Sequence, residues 1–284
     1  MRNGGVTSRG VALIAVLWLV AAMSLIITGV VKAVRVEIQT AGMQRQTVVA
    51  GALADAAILL ALQSLQAQQK EPGDTLQVIP VQFENQIFEV SLEPLNGFID
   101  INNASVQLLA EMYRYAGGLS PPAAQALAQA TVDSRQSKSA KGLTQGFDAT
   151  EDLMRVPGVT YDLYAKINQV VTAALKGGSG RVNPMTAPVG VLQILAGGDL
   201  ARAATLVARR GTDSKLTDTS FLKPEFIEMA SSRSLQLQVR IDLAGGGSSQ
   251  KAWQVFWSAD PRSGLPWRVL GVQQSMQHPA QVAN

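Results

Sequence analysis

A chain of 284 residues with 47% hydrophobic content is long enough to bury one large core or two smaller ones. Its 24 Lys and Arg stand against 21 Asp and Glu, and with Arg2 and Arg9 set apart before the first apolar run the remainder is nearly neutral, without the electrostatic footprint that phosphate binding needs. There is no cysteine, which excludes a disulfide framework, a thiolate nucleophile and a cysteine metal site.

Residues 11–31, VALIAVLWLVAAMSLIITGVV, carry no charge and are bounded by Arg9 on one side and by Lys32 and Arg35 on the other. That length spans a bilayer core as one helix, and it exceeds the apolar region of a cleaved secretory signal. The flanking charges are too evenly shared to orient it strongly, with a lean towards the N-terminus inside. No proline occurs between Val11 and Glu71, and Pro72-Gly73 supplies a stop, so a continuous stem helix is expected over 11–71. Val48, Ala52, Ala56, Leu59, Leu60 and Leu62 lie near a 3.6-residue period and suit a stem packed on a sheet. Asp55 interrupts the stripe and reads as an exposed or hydrogen-bonded residue.

Residues 75–96 read as two strands around Glu84-Asn85-Gln86, with Val81 and Phe83 facing Phe88 and Val90 and with Pro80 marking an edge or bulge. From 97 to 231 the pattern is helical, broken by Pro121-Pro122, Pro157-Gly158, Gly177-Gly178, Pro184 and Gly197-Gly198. A polar loop covers 134–146. Ser105 and Thr186 each stand where a helix could start and read as N-caps. Over 232–275 the alternation of Leu235, Leu237, Val239, Ile241 and Leu243, then of Trp253, Val255 and Trp257, then the run from Trp267 to Val272, gives an antiparallel meander with one buried face. The tryptophans read as core and face-packing residues. A flexible tail is expected over 276–284. The expected fold is therefore α+β: a long N-terminal transmembrane and stem helix packed on an antiparallel sheet over 75–96 and 232–275, with an all-helical domain inserted at 97–231.

The junction Ser8-Arg9-Gly10-Val11-Ala12-Leu13-Ile14 resembles the leader junction of type IV prepilins and type II secretion pseudopilins, a short basic leader, a glycine and then the membrane helix. The resemblance implies a leader at 1–10, cut by prepilin peptidase after Gly10, and Val11 as the new, N-methylated amino terminus. Most members carry glutamate at the fifth mature position, where this chain has Ala15. A carboxylate in the bilayer is expensive and serves to pair with the amino terminus of the subunit ahead. Its lack is a habit of minor pseudopilin K, the large subunit at the tip of the type II secretion pseudopilus. The phrases Asn96-Gly97-Phe98-Ile99-Asp100-Ile101-Asn102, Asp152-Leu153-Met154-Arg155-Val156-Pro157-Gly158-Val159 and Val182-Asn183-Pro184-Met185-Thr186-Ala187-Pro188 are similar to recurring phrases of that family, which extends the resemblance over nearly the whole chain. It implies a pilin-like fold with a SAM-like insert. It also implies a single-pass protein of a Gram-negative inner membrane, N-terminus cytoplasmic and bulk periplasmic. The partners implied are minor pseudopilins I and J, H as a further one, prepilin peptidase and the inner-membrane secretion platform. Some members bind calcium through acidic loops of the insert; here the loop has Lys138 and Lys141, with only Asp133 and Asp148 nearby, so no cofactor is expected.

Two rival functions are weaker. Residues 151–167, EDLMRVPGVTYDLYAKI, also resemble a helix-hairpin-helix unit of DNA-binding proteins, but Thr160 stands in place of the second glycine and the segment 97–230 is close to neutral, so no nucleic acid is expected. A minor pilin of a type IV pilus would share the leader without so large an insert. For catalysis the chain offers little: His278 is the single histidine and sits in the tail, and the neighbours Glu151 and Asp152 cannot face one another on a helix. No phosphate loop, nucleophile elbow or zinc spacing occurs, so no enzyme activity, catalytic residue or metal site is expected.

Overall fold

The computed structural model of the protein describes residues 8–68, 75–137, 146–173, 178–210, 217–243 and 247–277. Helix α1, Ser8–Ala67, runs unbroken for 60 residues, about 90 Å at the α-helical rise. The expected stop at Pro72-Gly73 lies outside the described residues. Beyond the apolar segment α1 docks on an antiparallel sheet through Ala50, Ala54, Ala57, Ile58, Ala61, Leu62 and Leu65. This corrects the expected stripe: of its six members only Leu62 is fully buried, and Val48 and Ala52 are exposed. Apolar residues surround the helix here, so periodicity does not single out one face. The sheet takes the alanine ridge, where small side chains let the helix axis settle between Val90, Leu92, Leu237, Val239 and Val255. Burying Ile58, Leu62 and Leu65 contributes about 1.5–3 kcal/mol each.

The sheet is made of β1 (Gln77–Phe83), β2 (Gln86–Pro94), β5 (Ser234–Asp242), β6 (Ser248–Phe256) and β7 (Arg268–Gln277) in the order β1-β2-β5-β6-β7, antiparallel throughout. Glu84 and Asn85 form a two-residue hairpin loop with φ of 46° and 63°, the left-handed pair of a type I′ turn, and bring Val81 opposite Phe88. Phe83 pairs with Gln86 and Val90 with Ile79, so the expected cross-strand facing holds for only one of its pairs. Strand β7 continues past 275 to Gln277; the expected tail thus begins inside the sheet, and residues 278–284, His278 among them, lie outside the described residues.

The insert has its own core, centred on Ile99, Ile101, Leu108, Leu109, Met112, Tyr113, Leu153 and Ile167. Its helices are α2 (Val106–Tyr115), α3 (Pro121–Gln136), α4 (Tyr161–Ile167), α5 (Val189–Leu195) and α6 (Leu200–Arg210). It is not purely helical: β3 (Ile99–Asp100) pairs in parallel with β4 (Val171–Thr172), and Val182 bridges Ile227. Two-residue strands leave no periodicity to read. Ser105 caps α2, its side chain accepting from the Leu108 N–H. Thr186 caps nothing, because α5 starts after Pro188; its hydroxyl bonds to the Asn183 carbonyl and to Asn96 instead.

The strand directions fix which end of the stem carries the insert. Ile241, Asp242 and Leu243 line a groove with Gly42, Arg45, Gln46, Val49, Ala50 and Leu53, so β5 ends beside the part of the stem nearest the apolar segment. Pro94 pairs with Leu235 at the opposite end of β5. The chain therefore enters the insert from β2 and returns to β5 at the end of the sheet farthest from the apolar segment. A knot of amides closes this neck. The Asn96 and Asn183 side-chain amides both donate to the Ala230 carbonyl, at 2.7 and 2.9 Å, and the Asn183 N–H donates to the Asn96 carbonyl at 2.8 Å. Gly97 is needed there: a Cβ would stand 2.6 Å from the Thr186 backbone.

Candidate functional site

Among the described residues the first part of α1 has no partner. Leu13, Leu17, Trp18, Leu25 and Ile27 are all more than 60% exposed, and among the described residues this is the one helix long and apolar enough to cross a membrane. Thr28 keeps its hydroxyl satisfied inside the helix by donating to the Ser24 carbonyl at 2.8 Å, as lipid surroundings would require. The backbone is already helical across Gly10 and Val11; residues 1–7 lie outside the described residues. Ala15 is exposed one helical turn beyond that junction.

Where the exposed helix becomes the docked stem, one polar cluster fastens it. The Asp55 carboxylate lies 2.6 Å from the Lys251 ammonium and accepts the Trp253 Nε1–H at 3.0 Å; Lys251 also reaches the Gly51 carbonyl at 3.4 Å. The Gln274 side chain rests against Gly51. One carboxylate on the helix thus ties β6 to α1 at the level where the alanine ridge begins. The expectation that Asp55 would be exposed or bonded is met by bonding. The sequence alone does not single out its partners; the signals it carries are a lone carboxylate in an apolar helix and a Lys alternating with Trp in a strand. On the other flank of the helix, the groove closed by Ile241 and Leu243 is open and apolar, with a volume of about 460 Å³. Farther along, Trp257 stacks on the buried Trp267 with ring centroids 6.0 Å apart, so these tryptophans pack the sheet face.

In the insert, polar residues act on the fold. Asp100 is buried and accepts from the Asn102 N–H and the Asn103 amide, while Arg135 donates to the Ile101 carbonyl. Burial pushes the Asp100 carboxyl above its ordinary value, outweighing those hydrogen bonds and the Arg135 charge. Arg210 spans two carbonyls, Pro184 at 2.9 Å and Ala187 at 2.6 Å. The segment 151–167 does not form two α-helices: Thr150–Arg155 is a 3₁₀ turn, and Thr160, at the position of a hairpin's second glycine, caps α4 by accepting from the Leu163 N–H. Asp152 accepts the Asp148 and Ala149 N–H groups and pairs with Arg155 at 3.1 Å, a helix-start role. Asp133 accepts from Gln129, and Lys138 and Lys141 lie outside the described residues. No cluster of three or more metal-ligating side chains occurs among the described residues.

No protein-family model matches the sequence, and no curated protein does. Among solved structures, the chain is similar to one in the crystal structure of the GspK-GspI-GspJ complex from the enterotoxigenic Escherichia coli Type 2 Secretion System. The identity is 16% and the TM-score 0.46, over 85% of this chain and 99% of that one.

Proposed function

We propose that the protein is a minor pseudopilin of the type II secretion system that starts or caps the periplasmic pseudopilus, in complex with minor pseudopilins I and J and with H as a further neighbour. The observation that carries this reading is the polarity of the molecule. A long apolar helix with no partner among the described residues leaves one end of the stem, and a bulky domain crowns the other, between strands β2 and β5. A helix so exposed needs lipid or other helices along its length. A domain raised at the far end obstructs a further subunit there and leaves the near end free, which suits the first position in a fibre. Ala15 supports the same place, because a subunit with none ahead of it has no amino terminus to neutralise.

In this reading the chain is an assembly component of the inner membrane and not an enzyme. Prepilin peptidase removes residues 1–10, Val11 becomes the methylated amino terminus, and the helix waits in the bilayer before the secretion platform moves it into the fibre. The residues act by holding geometry: the alanine ridge and Asp55 fix the stem on the sheet, and the Asn96-Asn183-Ala230 knot fixes the insert on the neck. The test is coexpression of the full chain with minor pseudopilins I and J, followed by detergent extraction and size-exclusion chromatography. A single complex is expected, and separate elution of each protein would refute the assignment.

A further inference from the structure

The two edges of the sheet are not alike. Strand β1 carries Pro80, which offers no N–H and guards an edge against added strands. Strand β7 pairs with β6 and, among the described residues, with nothing else. A register shift opposite Gln254 and Val255 sets Leu270 out of line, but from Gly271 to Gln277 the pairing is regular, without proline or charge. The stem touches this strand where the Gln274 side chain rests against Gly51, and it leaves the valines before that point half-open. Val269 and Val272 stand in register with Val255 and Trp253, on the face that α1 packs against, yet they are 45% and 50% exposed because the helix sits over β1, β2, β5 and β6. An unguarded edge beside a half-open apolar ledge is a template for strand addition.

We infer that the free edge of β7, from Gly271 to Gln277, takes a sixth strand from a different subunit of the same assembly, an uncharged segment that places apolar side chains on Val269 and Val272. A second copy fits poorly. Strand β7 runs antiparallel to α1, since Gln274 lies by Gly51 while Arg268 lies towards the insert. Antiparallel pairing of two β7 strands would set the two stems in opposite directions, whereas both apolar helices must enter one membrane from the same side. The inference rests on the pseudopilin reading, which supplies the neighbouring subunits.

The experiment is hydrogen–deuterium exchange on the full chain in detergent, alone and in complex with minor pseudopilins I and J, with Val272→Lys and Ser275→Lys as edge variants and Val78→Lys on β1 as control. Amide exchange over β7 should slow about tenfold or more in the complex, with no change over β1. Each edge variant should retain its thermal midpoint and lower complex recovery at least about tenfold, while the control leaves recovery unchanged. A complex that forms with β7 exchange unaltered, and tolerates both Lys variants, overturns strand addition and leaves the assembly role standing. No complex at all removes both. Slow β7 exchange already present in the isolated chain would give the edge to residues 278–284 and overturn the inference. So would a disulfide-linked homodimer of Ser275→Cys, a clean probe in a chain without cysteine.

Discussion

Replacing Asp55 tests whether one carboxylate fastens the stem to the sheet. Truncation to alanine leaves the Lys251 ammonium, whose side chain is only 12% exposed, with the Gly51 carbonyl at 3.4 Å, and it leaves the Trp253 indole N–H without its acceptor. Removing one member of a fully buried pair costs about 3–5 kcal/mol, and an exposed pair is worth about 0–1 kcal/mol. Asp55 itself is 36% exposed, so Asp55→Ala should cost about 2 kcal/mol. Asp55→Asn keeps an acceptor for Trp253 and loses only the charge, and should cost about 1 kcal/mol. The double variant Asp55→Ala/Lys251→Met, which removes the stranded cation as well, should recover at least about 1 kcal/mol relative to the sum of the single changes. Urea unfolding of the full chain in detergent, followed by tryptophan fluorescence, measures these three and the single Lys251→Met that completes the cycle. Additive single effects, or an Asp55→Ala cost below about 0.5 kcal/mol, would refute the argument that this cluster holds the helix.

Gly10→Ala should leave the leader attached when the protein is coexpressed with prepilin peptidase, and a mobility shift equal to that of the native chain would remove the junction. Burial raises the Glu93 carboxyl above its ordinary value, so folding favours its protonated form, and the cost to stability grows as pH rises from the ordinary to the raised value and is complete above it. Glu93→Gln should therefore stabilise the chain at neutral pH, and the advantage should shrink as pH falls through that raised value; a difference that is flat with pH would contradict the burial argument. At the β1–β2 turn, Glu84→Asn with Asn85→Gly supplies the residues that tolerate positive φ and should raise stability by about 0.5–1 kcal/mol in thermal unfolding. Asn183→Ala removes two side-chain bonds of the neck, to the Ala230 carbonyl and from the Met185 N–H, and should make the joint between insert and sheet the first site of limited proteolysis.

Most of the architecture was legible because its signals repeat. The uncharged run, the strict alternation around Leu237 and Val255, and the turn at Glu84-Asn85 each bias several residues the same way. The buried face of the stem was not, since its neighbours Leu53, Leu59 and Leu60 are as apolar as the ridge, and only the sheet decides that alanines go inward. Ser105 was readable as a cap from its local sequence. Thr186 looked the same and was recruited by Asn96, ninety residues away. The fastening site was half legible: Asp55 stood out in an apolar helix, but its partners come from a strand nearly two hundred residues later. The roles expected of Gly10, Val11 and Ala15 concern processing and assembly, which a folded chain by itself does not express.

The placement of the neck has a kinetic side. Strands β2 and β5 lie next to each other although Ser91 and Gln238, joined by a hydrogen bond, are 147 residues apart in sequence. Closing a loop of that length from an unfolded chain costs about 4 kcal/mol of entropy before any pairing compensates it. A folded insert removes most of that cost, because Asn96, Asn183 and Ala230 already hold its two ends together. The insert should then fold first and nucleate the sheet, so that destabilising the neck slows formation of β2–β5 while the β1–β2 hairpin and the β5–β7 meander keep their local rates.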